Sequence, residues 1–141
     1  MSLGLELREV PELPDPNVRP PTVAQSGDPF AGLRVCHLFA RLPRGVPVRI
    51  RDVVDRLNVD YLDWSFSRSV VISVAVQLQS NWVADFRTST GFELTDGARG
   101  EELTIEDSPR AGPWLLRQVQ RLAAECREQL AAFARAESDL A

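Results

Sequence analysis

The sequence predicts a mainly helical domain with a small β-hairpin, followed by a long C-terminal helix. In residues 67–95, a helical segment stops and two short strand-like runs follow. In residues 29–42 and 49–58, apolar residues recur every three or four positions, which is the period of a helix with one buried face. A similar spacing runs from Leu115 to Phe133. These three observations carry the fold class.

Composition limits the class of protein. The chain has 141 residues, 44% of them hydrophobic, which suits one domain with an appendage. No apolar run approaches the roughly 18 residues that cross a bilayer, and the start lacks a secretory signal, so we expect no membrane partner. Cys36 and Cys126 match neither a disulfide framework nor a zinc site. We therefore expect a reduced, cytoplasmic protein without metal or cofactor.

Charge divides the chain into three parts. Residues 1–28 hold five prolines and a net charge of -3, which predicts an extended or disordered tail. Within that tail, the alternative for the run LGLELREV is that it adds an edge strand or packs on a partner. Residues 29–106 are the predicted domain, with net charge -1, and residues 107–141 are the neutral C-terminal helix. All sixteen basic residues are arginine, yet a strongly basic face is not expected.

The first elements have local start and stop signals. The first helix is predicted after Asp28, a good N-cap, with Pro29 at the first helical position. Residues 46–48 predict a short strand. The second helix covers residues 49–58, and Asn58 is its expected stop because asparagine tolerates the left-handed conformation.

Residues 69–80 fit two periods. Alternate positions are aliphatic, which suits a strand. In a helix, the polar residues fall on one narrow arc, which consists of Ser69, Ser73, Gln77 and Ser80. We favour the helix, because a helix precedes the segment, a stop follows it, and packing readily overrides the small propensity cost of β-branched residues.

A hairpin is predicted next. Residues 82–87 are expected to form a strand, residues 88–91 a turn closed by Gly91, and residues 92–95 the return strand. Leu103 and Ile105 predict either a further short strand or an irregular helix.

The C-terminal helix carries an apolar seam with the spacing of a coiled coil. Its members are Leu115, Val119, Leu122, Cys126, Leu130 and Phe133. We expect this seam to join two copies of the chain in a homodimer. The alternative is that it packs back on the domain and leaves a monomer.

Two motifs resemble those of winged helix-turn-helix transcriptional regulators of the MarR and PadR kind. Residues 78–83, LQSNWV, resemble the turn after the recognition helix, and residues 92–99, FELTDGAR, resemble the signature that ends the wing. The similarity covers about residues 29–100. It implies a winged helix-turn-helix, in which the helix from residue 67 enters the major groove of double-stranded DNA.

The resemblance also implies which side chains contact DNA. The groove-facing residues would be Ser67, Arg68, Ser69, Ser73 and Gln77. The wing would contribute Arg87, Thr88 and Thr90. Arg49 and Arg51, at the start of the second helix, would hold a phosphate together with the helix dipole.

The leading functional hypothesis is therefore a dimeric DNA-binding transcriptional regulator. The alternative is a winged-helix protein-interaction module without DNA binding, because the domain is slightly acidic and Arg68 is the one base of the recognition segment. We find no Gly-rich phosphate loop, metal motif or nucleophile elbow in the sequence, so we do not expect an enzyme. His37 is expected to be structural.

Overall fold

Four helices and five short strands form the part of the chain that the computed structural model describes, residues 5–13, 22–88, 91–97 and 100–140. The helices are α1 (Pro29–Arg41), α2 (Ile50–Asp60), α3 (Arg68–Phe86) and α4 (Ala111–Leu140). The strands are β1 (Thr22–Val23), β2 (Val48–Arg49), β3 (Trp64–Ser65), β4 (Phe92–Gly97) and β5 (Gly100–Ile105). The predicted mainly helical class with a small antiparallel sheet is confirmed, and so is the helix in residues 69–80.

Helix α1 lies at the centre of the core. Every residue from Pro29 to Ala40 is buried, and α1 contacts α2, α3 and α4. The predicted start is confirmed: Oδ1 of Asp28 accepts a hydrogen bond of 3.0 Å from the backbone N–H of Phe30, and Pro29 begins the helix. Such a cap satisfies a donor that the first turn leaves unpaired.

Three strands form an antiparallel sheet in the order β2–β5–β4. Strands β4 and β5 are a hairpin, with Phe92 opposite Ile105, and residues 98 and 99 between them lie outside the described part. Strand β2 pairs with β5, with Val48 opposite Leu103. Of the two alternatives for Leu103 and Ile105, the strand is therefore correct. A second sheet is the parallel pair β1 and β3.

The predicted strand at residues 82–87 is wrong. Helix α3 runs on to Phe86 and ends at Arg87, whose φ of 52° is left-handed. The centroids of the Trp82 and Phe86 rings lie 4.5 Å apart, and both rings contact the ring of Trp114 in α4. In a strand, side chains four residues apart would lie about 13 Å from each other and would not share one partner. The hairpin therefore lies one segment later than predicted.

The stop predicted at Asn58 is also wrong, because α2 continues to Asp60. The Asn58 side chain is used elsewhere. Its Nδ2 donates to the carbonyl oxygen of Phe66 (3.1 Å), and its Oδ1 accepts from the N–H of Phe66 (2.8 Å). Since the amide bonds a distant backbone segment, it anchors the loop that leads into α3.

Residues 5–13 lie against the domain without forming a regular strand. The backbone N–H of Arg8 donates to the carbonyl oxygen of Arg41 at 2.6 Å. The apolar side chains of this segment pack on the core, namely Leu5, Leu7, Val10 and Leu13. The described part of the LGLELREV run thus packs on its own domain and does not form the alternative edge strand. The prolines at positions 14, 16, 20 and 21 lie outside the described residues.

Helix α4 buries the first part of its predicted seam within the chain. Leu115, Val119 and Cys126 are buried, and Leu122 and Leu130 are partly buried. Phe133, by contrast, is 65% exposed, and residues 131–140 are all exposed. Within the described residues, no helix is long and apolar enough to cross a membrane.

Candidate functional site

The start of α3 is an open surface. Ser67 is the N-cap residue, and the side chains of Ser67, Arg68 and Ser69 are exposed. The hydroxyl oxygens of Ser67 and Ser69 lie 3.1 Å apart and share a hydrogen bond. The first three residues of the predicted DNA contact set therefore lie together.

Arg68 is paired across this surface with Glu101 of β5. Nη2 of Arg68 donates to Oε2 of Glu101 at 2.6 Å, and Nε donates to Oε1. This side-chain hydrogen bonding raises the pKa of Arg68 and lowers the pKa of Glu101, and Asp96 adds a weaker attraction to Arg68. The one base at the start of α3 is thus neutralised by the hairpin.

The hairpin strands are acidic. Strands β4 and β5 read FELTDG and GEELTI, which place four carboxylates and no basic residue on the two strands. These residues are Glu93, Asp96, Glu101 and Glu102. Duplex DNA carries one negative charge per ~1.7 Å of its axis, so these strands would repel its backbone.

The two arginines at the start of α2 differ in their surroundings. Arg49 forms an ion pair with Asp52, with Nε to Oδ2 at 3.1 Å and Nη2 to Oδ1 at 3.3 Å. Arg51 is exposed and makes no ion pair with the described residues. Of the predicted phosphate contacts, Arg51 alone keeps an uncompensated charge.

Arg87 and Thr88, which we assigned to the wing, do not lie on the hairpin. Arg87 caps the end of α3, and Thr88 follows it in the link to β4; both side chains are exposed. Their assignment to the wing was wrong, since the helix takes up the residues that we expected to form the first strand. Thr90 lies outside the described residues.

Ser73 and Gln77 face a groove of about 300 Å³ between α3, α4 and the start of α1, which we call the α3 groove. It is also lined by Asp28, Arg121 and Glu125. Nε2 of Gln77 donates to Oδ1 of Asn81 at 3.2 Å. The structure therefore splits the predicted recognition set between an open surface and a groove.

Sequence reasoning did not single out Arg121, Glu125 or Glu101. Charged residues four positions apart on an exposed helix are typical of a solvated face, so Arg121 and Glu125 carry no separate signal. Glu101 lies 33 residues from Arg68, and its role depends on the hairpin register.

The thiols offer no reactive group. Neither Cys36 nor Cys126 forms a disulfide, both are buried, and burial raises the pKa of the Cys36 thiol to about 12. A thiol that stays protonated at neutral pH is a poor nucleophile. Among the residues with described positions, no group of three or more histidine, cysteine or acidic side chains is placed to hold a metal ion.

Comparison with models of known protein families, with curated proteins and with solved structures finds no match to this chain.

Proposed function

We propose that the chain is a winged helix-turn-helix that serves as a homodimeric protein-interaction module. The element order supports this proposal: α1, β2, α2, the two-residue strand β3, α3 and the hairpin of β4 and β5 follow one another along the chain. Strand β2 is the third strand of the sheet, and it pairs with β5 on the side opposite β4. In this proposal the wing is the hairpin of β4 and β5.

Electrostatics favour protein over DNA as the partner. Binding to duplex DNA is driven largely by counterion release when arginine or lysine neutralises phosphates. Here Arg68 and Arg49 are already neutralised by Glu101 and Asp52, and the hairpin strands bear only acids. A duplex would have to break these pairs to gain its contacts.

The observation that carries the proposal is the free end of α4. Residues 131–140 continue the helix for about 15 Å beyond the core. Phe133 is 65% exposed and Leu140 is 87% exposed, and with the partly buried Leu130 they lie on one stripe of the helix. A helix that leaves an apolar stripe uncovered is typical of an interaction surface.

A second copy of the chain fits this stripe. Arg127 and Asp139 lie six residues on either side of Phe133. An antiparallel pair of helices centred on Phe133 would place these opposite charges at the same level, twice, as two-fold symmetry requires. Alanines at positions 132, 134 and 136 would allow close approach. Since the interface is small, we expect dissociation in the micromolar range.

Sedimentation velocity over micromolar concentrations tests the dimer. We expect the natural chain to sediment as a dimer and Phe133→Glu to sediment as a monomer. The control is Ala131→Glu, which places the same charge on the opposite, exposed side of the helix. A monomer at every concentration, or a dimer that survives Phe133→Glu, would contradict the proposal.

Duplex DNA binding is the second candidate function, favoured by the exposure of Ser67, Ser69 and Arg51. Fluorescence anisotropy with a duplex at low salt separates the two candidates. The protein-interaction module predicts no rise in anisotropy. Binding that weakens steeply with added salt and is lost in Arg51→Gln would favour DNA instead. For either function we propose a reducing, cytoplasmic location, because the two cysteines are buried and form no disulfide.

A further inference from the structure

The α3 groove has the size and the wall chemistry of a small-molecule site. Its volume of about 300 Å³ is at the lower end of the range for ligand pockets. The apolar part of the lining consists of Val74 and Leu78 of α3 and Leu122 of α4. Gly32 of α1 also lines the groove and has no side chain to fill it. A ligand here would be small and would have an apolar part.

Two opposite charges lie on the α4 wall of the groove. Arg121 and Glu125 both line it and are four residues apart, which brings their side chains to the same face of the helix. Neither forms an ion pair with another described residue, themselves included. The order with the base first is the weaker one for a pair at this spacing. Both side chains are exposed, so both charges are available to a ligand in the groove.

Neutral hydrogen-bonding groups face them from α3. Ser73 offers its hydroxyl group, and Gln77 keeps its Oε1 as an acceptor while its Nε2 donates to Asn81. Asp28 also lines the groove, and its Oδ1 caps α1. The groove thus offers the guanidinium of Arg121, the carboxylate of Glu125 and at least two neutral polar groups beside apolar side chains.

This arrangement selects among ligand classes. A simple anion would gain the guanidinium of Arg121 but would meet the carboxylates of Glu125 and Asp28. A simple cation would gain those carboxylates but would meet Arg121. A molecule that carries both charges on neighbouring atoms satisfies both sides, and the planar guanidinium suits a carboxylate in two-point contact.

We propose that the α3 groove binds a free α-amino acid with an aliphatic side chain. The ligand carboxylate pairs with Arg121, and its ammonium group pairs with Glu125 and donates to Oε1 of Gln77. Its side chain lies on Leu78 and Leu122. The ligand thus joins α4 to α3, independently of whether the free end of α4 forms a dimer.

Isothermal titration calorimetry with L-leucine tests this proposal. We compare leucine with 4-methylpentanoate, which lacks the ammonium group, with isopentylamine, which lacks the carboxylate, and with glycine, which lacks the side chain. We expect leucine to bind and each analogue to bind at least about tenfold more weakly, since each lacks one charged contact or the apolar part. No heat with leucine at millimolar concentration, or equal affinity for the acid or the amine, would overturn the proposal.

Variants locate the site. Arg121→Gln and Glu125→Gln should each weaken leucine binding by about tenfold or more, because each leaves one ligand charge unpaired. Arg135→Gln and Glu128→Gln are matched controls on exposed positions of α4 outside the groove, and their affinity should not change. All four sites are exposed, so we expect all four variants to keep the melting temperature of the natural chain. Unchanged binding in both groove variants would place the ligand elsewhere and contradict the assignment.

Discussion

Glu101 of β5 binds Arg68, the first residue of α3, through two nitrogens of the guanidinium group. The contact joins the hairpin to the helix that precedes it, and it decides the charge of the surface that we expected to meet DNA. The pair is largely exposed, so we expect it to contribute little to stability.

The pair predicts the titration of Glu101. Replacing Arg68 with glutamine removes the main hydrogen bonds that lower the pKa of Glu101, so this pKa should rise towards the ordinary range of glutamate. Carboxyl-detected NMR across acidic pH measures it. Arg49→Gln, which breaks the separate pair with Asp52, is the control and should leave the pKa of Glu101 unchanged. If Arg68→Gln also leaves it unchanged, the pair does not persist in solution.

His37 predicts a loss of stability in mild acid. Burial lowers the pKa of His37 from the ordinary value of about 6.5, although its Nε2 lies 2.9 Å from the carbonyl oxygen of Pro11. The unfolded chain then binds the proton more readily than the folded chain. The free energy of unfolding should therefore fall as the pH drops from neutral through this range.

Urea unfolding at several pH values between neutral and mildly acidic tests the role of His37. Since it is the one histidine of the sequence, His37→Gln should flatten the dependence in this window. An equal slope in both proteins would assign the effect to other groups.

Gly91 predicts a strong steric effect. A Cβ at this position would lie 2.4 to 2.8 Å from three ring atoms of Trp82, which is closer than side-chain carbons approach. Trp82 is fully buried and held between Phe92 and Trp114, so its ring has little room to move. We expect Gly91→Ala to lower the free energy of unfolding by about 1–3 kcal/mol.

Gly32 is the matched control for that change. A Cβ there would lie 3.7 Å from Cδ2 of Leu122, an ordinary contact, and alanine favours the helix over glycine. Gly32→Ala should therefore be neutral or stabilise the fold by up to about 1 kcal/mol. Denaturant unfolding of both variants measures the difference, and an equal effect of the two would contradict the packing around Trp82.

Replacing Asn58 should lower the free energy of unfolding, because its side chain holds the loop that leads into α3. Its amide makes two hydrogen bonds to the backbone of Phe66, one as donor and one as acceptor. Asn58→Ala leaves both backbone groups without this partner and should cost about 1–3 kcal/mol. Asn58→Asp keeps the acceptor but places a charged oxygen against the carbonyl oxygen of Phe66, so it should not restore the stability of the natural chain in denaturant unfolding. A free energy of unfolding equal to that of the natural chain in Asn58→Ala would show that the two hydrogen bonds contribute little.

Predictions from sequence succeeded where the signal was local. The start of α1 depends on Asp28 and Pro29, which lie next to the helix that they begin. The helical assignment of residues 69–80 depended on neighbouring segments and on the polar arc, and α3 confirms it. The same reasoning failed at residues 82–87, because the partner of Trp82 and Phe86 is Trp114, about thirty positions away.

Some site residues could be placed from the local sequence, and others only from tertiary contacts. Ser67, Arg68 and Ser69 follow from the start of a helix, so the sequence was enough to place them together on one surface. The neutralisation of Arg68 required the register of the hairpin, which sets Glu101 near α3. The groove around Ser73 and Gln77 required the packing of α4 on α1, which brings Arg121 and Glu125 to α3.

By itself, the sequence determined a mainly helical domain with a short antiparallel sheet and a long last helix, because periodicity and capping act within a few residues. Only the tertiary structure decided which part of the last helix is covered. Leu115, Val119 and Cys126 are buried within the chain, whereas Phe133 extends beyond the core. The apolar spacing is the same along the whole seam. The two parts differ in burial because α1 and its neighbours are long enough to cover only the first part of α4. Burial of α4 depends on the surfaces of α1 and its neighbours, so it cannot be predicted from the local sequence pattern of α4.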